Sequence, residues 1–123
     1  MRIKQSRLKT YYIRRAVSKK DSEKNTYIDY LPSALFSGVV WSASGKLQAE
    51  IYGQRLTSIM NCKVNGLYSI HPVGNKNNYV FKSGLVLCEG DGVCVYVPPD
   101  AQPDYKIISI KPYDPLYMEM EKL

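Results

Sequence analysis

The chain has 123 residues, of which 45% are hydrophobic, and this length and composition fit one domain with a buried core. No apolar run approaches the roughly 18 residues needed to cross a bilayer, which argues against a membrane protein. The formal net charge is +6, and no apolar segment follows the basic start of the chain, so we expect no secretory signal and synthesis in a cytosol.

The first third of the chain is predicted to form strands. Alternating β-branched and aromatic residues predict a strand near a sheet edge over 10–17, followed by a charged loop over 18–25 and a short strand over 26–30. The apolar segment 34–44, which contains the only tryptophan, predicts a buried strand with a bulge or bend near Gly38.

A change of periodicity marks the middle of the chain. Leu47 and Ile51 lie four apart among good helix formers, which predicts one short helix over 46–52 that ends at Gly53. From Arg55 the period becomes two, which predicts a long strand that ends at Asn65-Gly66.

The second half of the chain is predicted to hold one long loop and several strands. The polar segment 68–83 is expected to be a long loop with a mobile tip, outside the core. An Asp-Gly turn then separates two apolar strands, and a proline-rich loop precedes a final pair of strands that we expect to form a hairpin. The predicted strands are 85–88, 93–97, 104–111 and 116–121, and the turn is 89–92.

These elements predict a mainly β fold in a single domain, 1–123. About six strands with one short α-helix and a long polar loop favour a small antiparallel β-barrel or sandwich.

Charge is unevenly distributed along the chain. Residues 1–24 contain nine Lys/Arg and two acids, whereas the other 99 residues contain eight bases and nine acids. Residues 89–123 contain seven acids and three bases. This asymmetry favours a nucleic-acid or acidic partner near the basic N-terminal strand (1–24), or head-to-tail association between copies. The alternative is a solvated basic edge strand that blocks unwanted pairing.

No catalytic, metal or cofactor site is predicted. His71 has no nucleophile motif beside it, Gly45-Lys46 lacks the other residues of a phosphate-binding loop, and Glu89–Gly92 lacks the alternating ligands of a calcium loop. Three cysteines in apolar runs are expected to be small buried hydrophobes: Cys62, Cys88 and Cys94. The eleven tyrosines suit strands and interfaces, with base stacking as the alternative.

The order of segments resembles the head-closure (head–tail adaptor) proteins of siphophages that infect Gram-positive hosts. The similar stretches are GKLQAEIYG at 45–53 and GDGVCVYV with PDYKIISI between 90 and 110, within a similarity that spans roughly 34–123. The family-like motif residues are Trp41, Gly45, Gln48, Glu50, Tyr52, Gly53, Asp91, Gly92, Asp104 and Tyr105.

The resemblance implies a non-enzymatic virion protein of the phage or prophage neck, made in the host bacterial cytoplasm. Such a protein forms a homo-oligomeric ring below the portal and its adaptor, closes the DNA-filled head as a stopper, and docks the tail. It implies no cofactor and no membrane partner. The alternatives are a small-barrel nucleic-acid-binding protein and a tail-completion (tail-terminator-like) protein.

Two groups of residues are assigned roles under this reading. Interface residues are expected among Arg14, Arg15, Tyr52, Tyr113, Tyr117, Glu119 and Glu121, with ordinary packing as the alternative for the tyrosines. The long loop is expected to project into the channel, where His71, Lys76 and Lys82 would lie and the lysines would make non-specific contact with packaged DNA. The lysines alternatively keep the loop soluble.

Overall fold

The computed structural model describes residues 7–123, and most of these residues lie in strands. The elements in chain order are β1 (Lys9–Arg14), β2 (Ala16–Lys20), β3 (Thr26–Tyr30), β4 (Ala34–Ser42), α1 (Lys46–Tyr52), a 3-10 helix (Gly53–Ser58), β5 (Ile59–Val64), β6 (Tyr68–Val73), β7 (Lys76–Phe81), β8 (Val86–Leu87), β9 (Gly92–Cys94), β10 (Tyr105–Lys111) and β11 (Leu116–Lys122).

Six strands close into an antiparallel barrel in the order β1-β4-β5-β11-β10-β9. The predicted mainly β, antiparallel barrel with one short helix is therefore confirmed, and so is the final hairpin, in which β10 pairs with β11. Closure removes the free edges that an open sheet would expose. The barrel positions α1 on the outer side of β5 and β11.

Two small sheets extend from the barrel. Strands β2 and β3 form a two-stranded ribbon (16–30, hereafter the ribbon), and β6, β7 and β8 form a three-stranded side sheet. A two-stranded ribbon is at best marginally stable alone. Its stability and position therefore depend on its contacts with the barrel.

The core fills the barrel and continues under the side sheet. Its buried side chains are Ile13, Phe36, Cys62, Val64, Tyr79, Phe81, Leu85, Leu87, Val93, Tyr105, Ile107, Ile110, Leu116, Met118 and Met120. All three cysteines are free and buried, as predicted.

The segment 68–83 is a β-hairpin rather than the predicted long polar loop. Strands β6 and β7 pair over their whole length, and Gly74 adopts the positive φ of 63° that the connecting turn requires. Tyr79 and Phe81 lie in the core, so the expectation that this segment stays outside the core is also wrong. Its polar residues form the exposed part of a hairpin, not an irregular loop.

Other strand predictions need smaller corrections. The predicted strand 10–17 is two strands that separate at Arg15, and Ser18–Lys20 belongs to β2 rather than to a loop. The register of β4 runs without a shift through Gly38, so no bulge occurs there. Glycine is needed at that position because a Cβ atom would lie 2.5 Å from the Lys63 carbonyl oxygen.

Three predicted strands also differ in extent or burial. The strand expected from Arg55 begins at Ile59, because residues 53–58 continue from α1 as a 3-10 helix. The strand expected over 93–97 ends at Cys94. Strand β4 is only partly buried, with Leu35 63% exposed.

Candidate docking surface

Helix α1 has only seven residues, with no side-chain cap at its first residue and no fully buried side chain. An isolated helix of this length is not stable in water. Gly45 and Gly53 flank it with φ values of 96° and 57°, which favour glycine over other residues. The helix therefore depends on its contacts with the barrel.

Polar side chains attach the inner side of α1 to β5 and β11. Gln48 and Tyr52 lie four residues apart and point to the same side of the helix. The Gln48 amide donates to Asn61 Oδ1 at 2.7 Å and to Glu119 Oε2 at 2.7 Å, and its oxygen accepts from Asn61 Nδ2 at 3.2 Å. The Tyr52 hydroxyl donates to Glu119 Oε1 at 3.0 Å.

Tyr117 extends this polar network into a row of aromatic rings. Its hydroxyl donates to Asn61 Oδ1 at 2.9 Å. The ring lies 6.2 Å from that of Trp41 and 6.3 Å from that of Tyr113, centroid to centroid, the second pair being stacked. The Lys63 ammonium lies 6.0 Å from the Trp41 ring.

Burial and the Glu119 carboxylate affect both tyrosine hydroxyls. Burial, followed by the hydrogen bond and charge of Glu119, raises the pKa of Tyr52 to about 12. Burial and the same carboxylate also raise the pKa of Tyr117. Both phenols therefore stay protonated, as hydrogen-bond donors, to a higher pH than an ordinary tyrosine would.

An ion pair joins the 3-10 helix to β11. Arg55 donates from Nε to one oxygen of Glu121 at 2.8 Å, and its second bond goes from Nη2 to the other oxygen at 2.6 Å. The hydrogen bond from Arg55 lowers the pKa of the Glu121 carboxyl. The Arg55 guanidinium also lies 5.6 Å from the centre of the Tyr52 ring.

The outer side of α1 exposes two large apolar side chains beside the charged Lys46 and Glu50. Leu47 is 70% exposed and Ile51 is 63% exposed, and both lie one helical turn apart on the side that faces solvent. Helices on soluble proteins normally direct the apolar side to the core and the polar side to water. Helix α1 instead directs Gln48 and Tyr52 to the barrel and leaves its two large apolar side chains in water. We call its outer surface, with Leu47, Glu50 and Ile51, the α1 surface.

Charged groups fix the base of the ribbon. Arg14 donates to three backbone carbonyl oxygens, those of Leu31, Ala101 and Tyr30, at 2.8, 2.8 and 3.0 Å. The Arg15 guanidinium lies 3.1 Å from a carboxylate oxygen of Asp91, whose other oxygen accepts the backbone N–H of Ala16 at 3.1 Å.

Asp91 is only 3% exposed, and this burial raises the pKa of its carboxyl. The next residue, Gly92, is surrounded closely, because a Cβ there would meet Pro103 and the Tyr30 ring. Asp104 accepts the backbone N–H groups of Val95 and Tyr96 at 2.8 and 3.0 Å. These motif residues therefore shape the end of the barrel from which the ribbon extends.

The structure divides the predicted site residues into separate groups. One group lies in α1 or where the helix meets β5 and β11: Trp41, Gly45, Gln48, Tyr52 and Gly53. A second group lies near the ribbon: Asp91, Gly92 and Asp104. Tyr105 lies in the core. Of the predicted interface residues, Arg14 and Arg15 bind within the chain. Glu119 was expected on a half-exposed strand and is only 6% exposed, because the helix covers it. Tyr113 is 59% exposed and available for a contact.

The three predicted channel residues do not converge. His71 lies exposed on β6 with its ring 2.9 Å from Ser69 Oγ. Lys76, on β7, lies 3.5 Å from the Glu89 carbonyl oxygen. Lys82 follows β7 and is exposed.

Within residues 7–123, no three His, Cys, Asp or Glu side chains are grouped so that they could hold a metal ion. None of the helical segments in that range has the length and hydropathy needed to cross a membrane. Burial raises the pKa of the Cys62 thiol, which favours the unreactive protonated form.

No family model, no curated protein and no solved structure matches this chain. The α1 surface therefore has to be interpreted from its own chemistry. Asn61, which joins Gln48 to Tyr117, is a site residue that no sequence motif marked. A polar residue between the apolar residues Met60 and Cys62 was the available signal.

Proposed function

We propose that this chain is a structural, ring-forming subunit of a tailed-phage neck, a head-closure or head–tail connector protein. It would lie between the portal and adaptor proteins and the tail, close the filled head and dock the tail. The observation that carries this proposal is the orientation of helix α1. A short helix held by a buried polar network and presenting two apolar side chains to water is suited to contact with another protein.

The hydrogen-bonded attachment of α1 to β5 and β11 supports a docking role. Gln48 uses both amide hydrogens and its oxygen in bonds to the barrel, and a fully satisfied buried network fixes one geometry. Because α1 is ordered before a partner binds, less conformational entropy is lost on association. The small antiparallel barrel also agrees with the fold that the resemblance implies.

The test is made in the phage or prophage that encodes the chain. Removing the gene should give particles that lose packaged DNA and do not join tails, and restoring it should reverse both defects. The double variant Leu47→Glu and Ile51→Glu should give the same tailless particles. Its matched control is Leu35→Glu with Leu67→Glu, which adds two charges at apolar positions that are similarly exposed, at 63% and 64%, and should leave tails attached.

Electron microscopy of the neck decides between two structural roles. Density for the barrel directly below the portal and its adaptor supports head closure. Density at the end of the tail tube would instead assign the tail-completion role. Normal particles from a phage without the gene would refute both.

A nucleic-acid-binding barrel is the second candidate, favoured by the net charge of +6. Several of the N-terminal bases are engaged within the chain, as Arg14 binds carbonyl oxygens, Arg15 pairs with Asp91 and Lys19 pairs with Asp29 at 2.8 Å. The binding candidate predicts that the isolated monomer binds DNA with an affinity that falls steeply with salt, by a log–log slope of about −0.9 per phosphate contacted. Tight, salt-sensitive binding by a chain that is absent from phage particles would favour this candidate.

A further inference from the structure

Strand β6 leaves one edge of the side sheet unpaired. It pairs with β7 on one side, and within residues 7–123 no strand pairs with its other side. All of its residues after Tyr68 are exposed. We call the unpaired backbone side of this strand the β6 edge. An edge of this kind presents backbone N–H and C=O groups that a second extended chain can bind.

The register of the β6–β7 hairpin shows which backbone groups point toward β7. Val73 and Lys76 flank a two-residue turn, so these two residues exchange both of their backbone hydrogen bonds. In an antiparallel pair, such hydrogen-bonded positions recur at every second residue. The backbone groups of Ser69, His71 and Val73 therefore bond to β7.

The alternate residues of β6 point their backbone groups to the free side. Tyr68 and Ile70 each offer one N–H and one C=O there, whereas Pro72 offers only its C=O. The opposite strand shows the same alternation, because the N–H of Phe81, which faces Tyr68, donates at 2.8 Å to the carbonyl oxygen of Leu85 beside β8. The β6 edge therefore offers donors and acceptors at the spacing of an extended chain.

A groove lies between this strand and the turn 112–114 that follows β10. Its volume is about 430 Å³, within the range of roughly 300–1,000 Å³ typical of binding pockets. Ile70 and Tyr113 line it and are 42% and 59% exposed. The Tyr68 hydroxyl donates to the Tyr113 carbonyl oxygen at 2.7 Å, so the two walls are joined before any partner binds.

The groove lies where an added strand would direct its side chains. Ile70 faces Tyr79, a core residue, across the hairpin, so Ile70 points to the barrel side of the sheet. A residue placed opposite Ile70 on an added strand would point the same way, into the groove. Asp114 is the one charged residue of the lining within residues 7–123, so backbone bonding and apolar contact, rather than charge, define the occupant.

The other unpaired strand edges within residues 7–123 carry protection that most of β6 lacks. The ribbon strands contain Lys19, Lys20 and Asp29, and β8 has only two residues. Charges and very short strands both discourage pairing with a second chain. Strand β6 has six residues, no Asp, Glu, Lys or Arg and no bulge, and Pro72 protects only its far end. Its first half is therefore open to pairing.

We propose that the β6 edge binds an extended segment of a partner protein, which joins the side sheet as an added strand. Backbone bonds to Tyr68 and Ile70 hold the segment, and an apolar side chain of the segment enters the groove against Tyr113. This contact goes beyond the proposed function and does not depend on it. It shares no residue with the α1 surface, whose disruption is expected to leave particles tailless.

Pro72 makes a second copy of β6 a poor occupant. In a symmetric antiparallel pair centred on Ile70, Pro72 of each copy faces Tyr68 of the other and has no N–H to donate to its carbonyl oxygen. A segment with N–H groups opposite both Tyr68 and Ile70 loses neither bond. The occupant is therefore a different segment.

Peptide binding to the purified full chain tests the contact. The probes are short fluorescent peptides in which threonine alternates with valine, isoleucine, phenylalanine or tyrosine, and fluorescence anisotropy measures their affinity. We expect at least one probe to bind with a Kd below about 1 mM. No binding by any probe up to that concentration would overturn the inference.

Methylation of the peptide backbone separates strand addition from binding through side chains alone. Successive N–H groups of a bound strand point alternately to β6 and to solvent. N-methylation of one alternate set should therefore abolish binding, and N-methylation of the other set should leave it. The side chains are the same in both analogues, so equal affinities would overturn the inference.

A variant of β6 removes one donor from the edge. Ile70→Pro deletes the outward N–H, and proline is tolerated on an edge strand when its nitrogen faces away from the neighbouring strand. It should weaken probe binding by about fivefold or more, which corresponds to one lost backbone hydrogen bond. Ile70→Val keeps the N–H and is the matched control, which should bind like the wild type. Equal affinity of the two folded variants would contradict the proposal.

Tyr113→Ala tests the groove without changing the strand. It should weaken probe binding several-fold, whereas Tyr96→Ala, which removes a 74% exposed tyrosine outside the groove, should not. Equal effects of these two substitutions would count against the groove. This test remains decisive if Ile70→Pro does not fold.

Amide hydrogen exchange identifies the occupied edge. The amides of Tyr68 and Ile70 should exchange fast in the free chain and slowly with the probe bound, whereas those of Ser69 and His71 should be protected in both states. Protection of Tyr68 and Ile70 that rises with protein concentration, without peptide, would show pairing of two copies and overturn the choice of occupant. Failure of every probe would leave the ring-forming function standing, and a chain absent from phage particles would leave this contact standing.

Discussion

Removal of the Glu119 carboxylate should release helix α1 from the barrel. Glu119 is nearly buried on β11 and accepts hydrogen bonds from Gln48 and Tyr52, the two side chains that attach the inner side of the helix. In Glu119→Ala, both donors lose this acceptor. A seven-residue helix has little stability of its own, so it should unfold locally before the barrel does.

The expected magnitude follows from the two lost bonds. A buried donor left without its acceptor costs roughly 1–3 kcal/mol, so two donors give a loss of about 3 kcal/mol in the free energy of unfolding. For a chain of this size, about 4 °C in melting temperature per kcal/mol corresponds to a decrease of about 12 °C.

Glu121→Ala is the matched control, because it removes a carboxylate from the same side of the same strand, two residues further on. Its partner Arg55 is exposed, so the ion pair should contribute much less than the buried network. The assay is urea unfolding combined with amide hydrogen exchange. Glu119→Ala should lose exchange protection in residues 46–52 while the barrel strands keep theirs. Equal destabilisation by the two variants, or unchanged protection of the helix, would refute the reasoning.

Three further variants test other parts of the structure. Burial holds the pKa of Asp91 in the folded state above 3.8, its value in the unfolded chain, so the folded state takes up the proton first. The free energy of unfolding of the wild type, relative to Asp91→Asn, should therefore rise as the pH falls through the folded-state pKa toward 3.8. Urea unfolding at several pH values checks this, and a difference between the two proteins that does not change with pH contradicts it. The pKa of Tyr52 is raised from 10.0 to about 12 in the folded state. The wild type should therefore lose more free energy of unfolding over that pH interval than Tyr52→Phe does. Equal losses in alkaline unfolding would contradict the hydrogen bond between Tyr52 and Glu119. Gly92→Ala should lose about 1–3 kcal/mol in thermal unfolding, because its Cβ would collide with Pro103 and the Tyr30 ring; a wild-type melting temperature would show that the site has room.

Local patterns were sufficient to predict most of the barrel. A strand over 104–111 and the alternation over 116–121, with a proline-containing turn between them, predicted the β10–β11 hairpin that the structure contains. The helix over 46–52 followed from its composition and from Gly53. The hairpin at 68–83 was missed because its polar residues were interpreted as a loop, although Gly74-Asn75 is a recognised hairpin turn.

The orientation of α1 required tertiary information. Leu47 and Ile51 predict a helix but do not determine which side faces the barrel. That choice depends on Glu119, which lies 71 residues after Gln48 and is covered only when β11 is in place. The burial of Asp91 likewise depends on the distant Arg15, so a turn signal alone did not reveal its contact with the ribbon.

The position of β11 sets the order of events during synthesis. This strand lies between β5 and β10, so the barrel cannot close until residues 116–122 have left the ribosome. Pairing β5 with β11 joins residues more than 50 positions apart, and contacts of such long range slow folding. We therefore expect one edge of β5 to stay unpaired, and accessible to chaperones, until β11 has been synthesised.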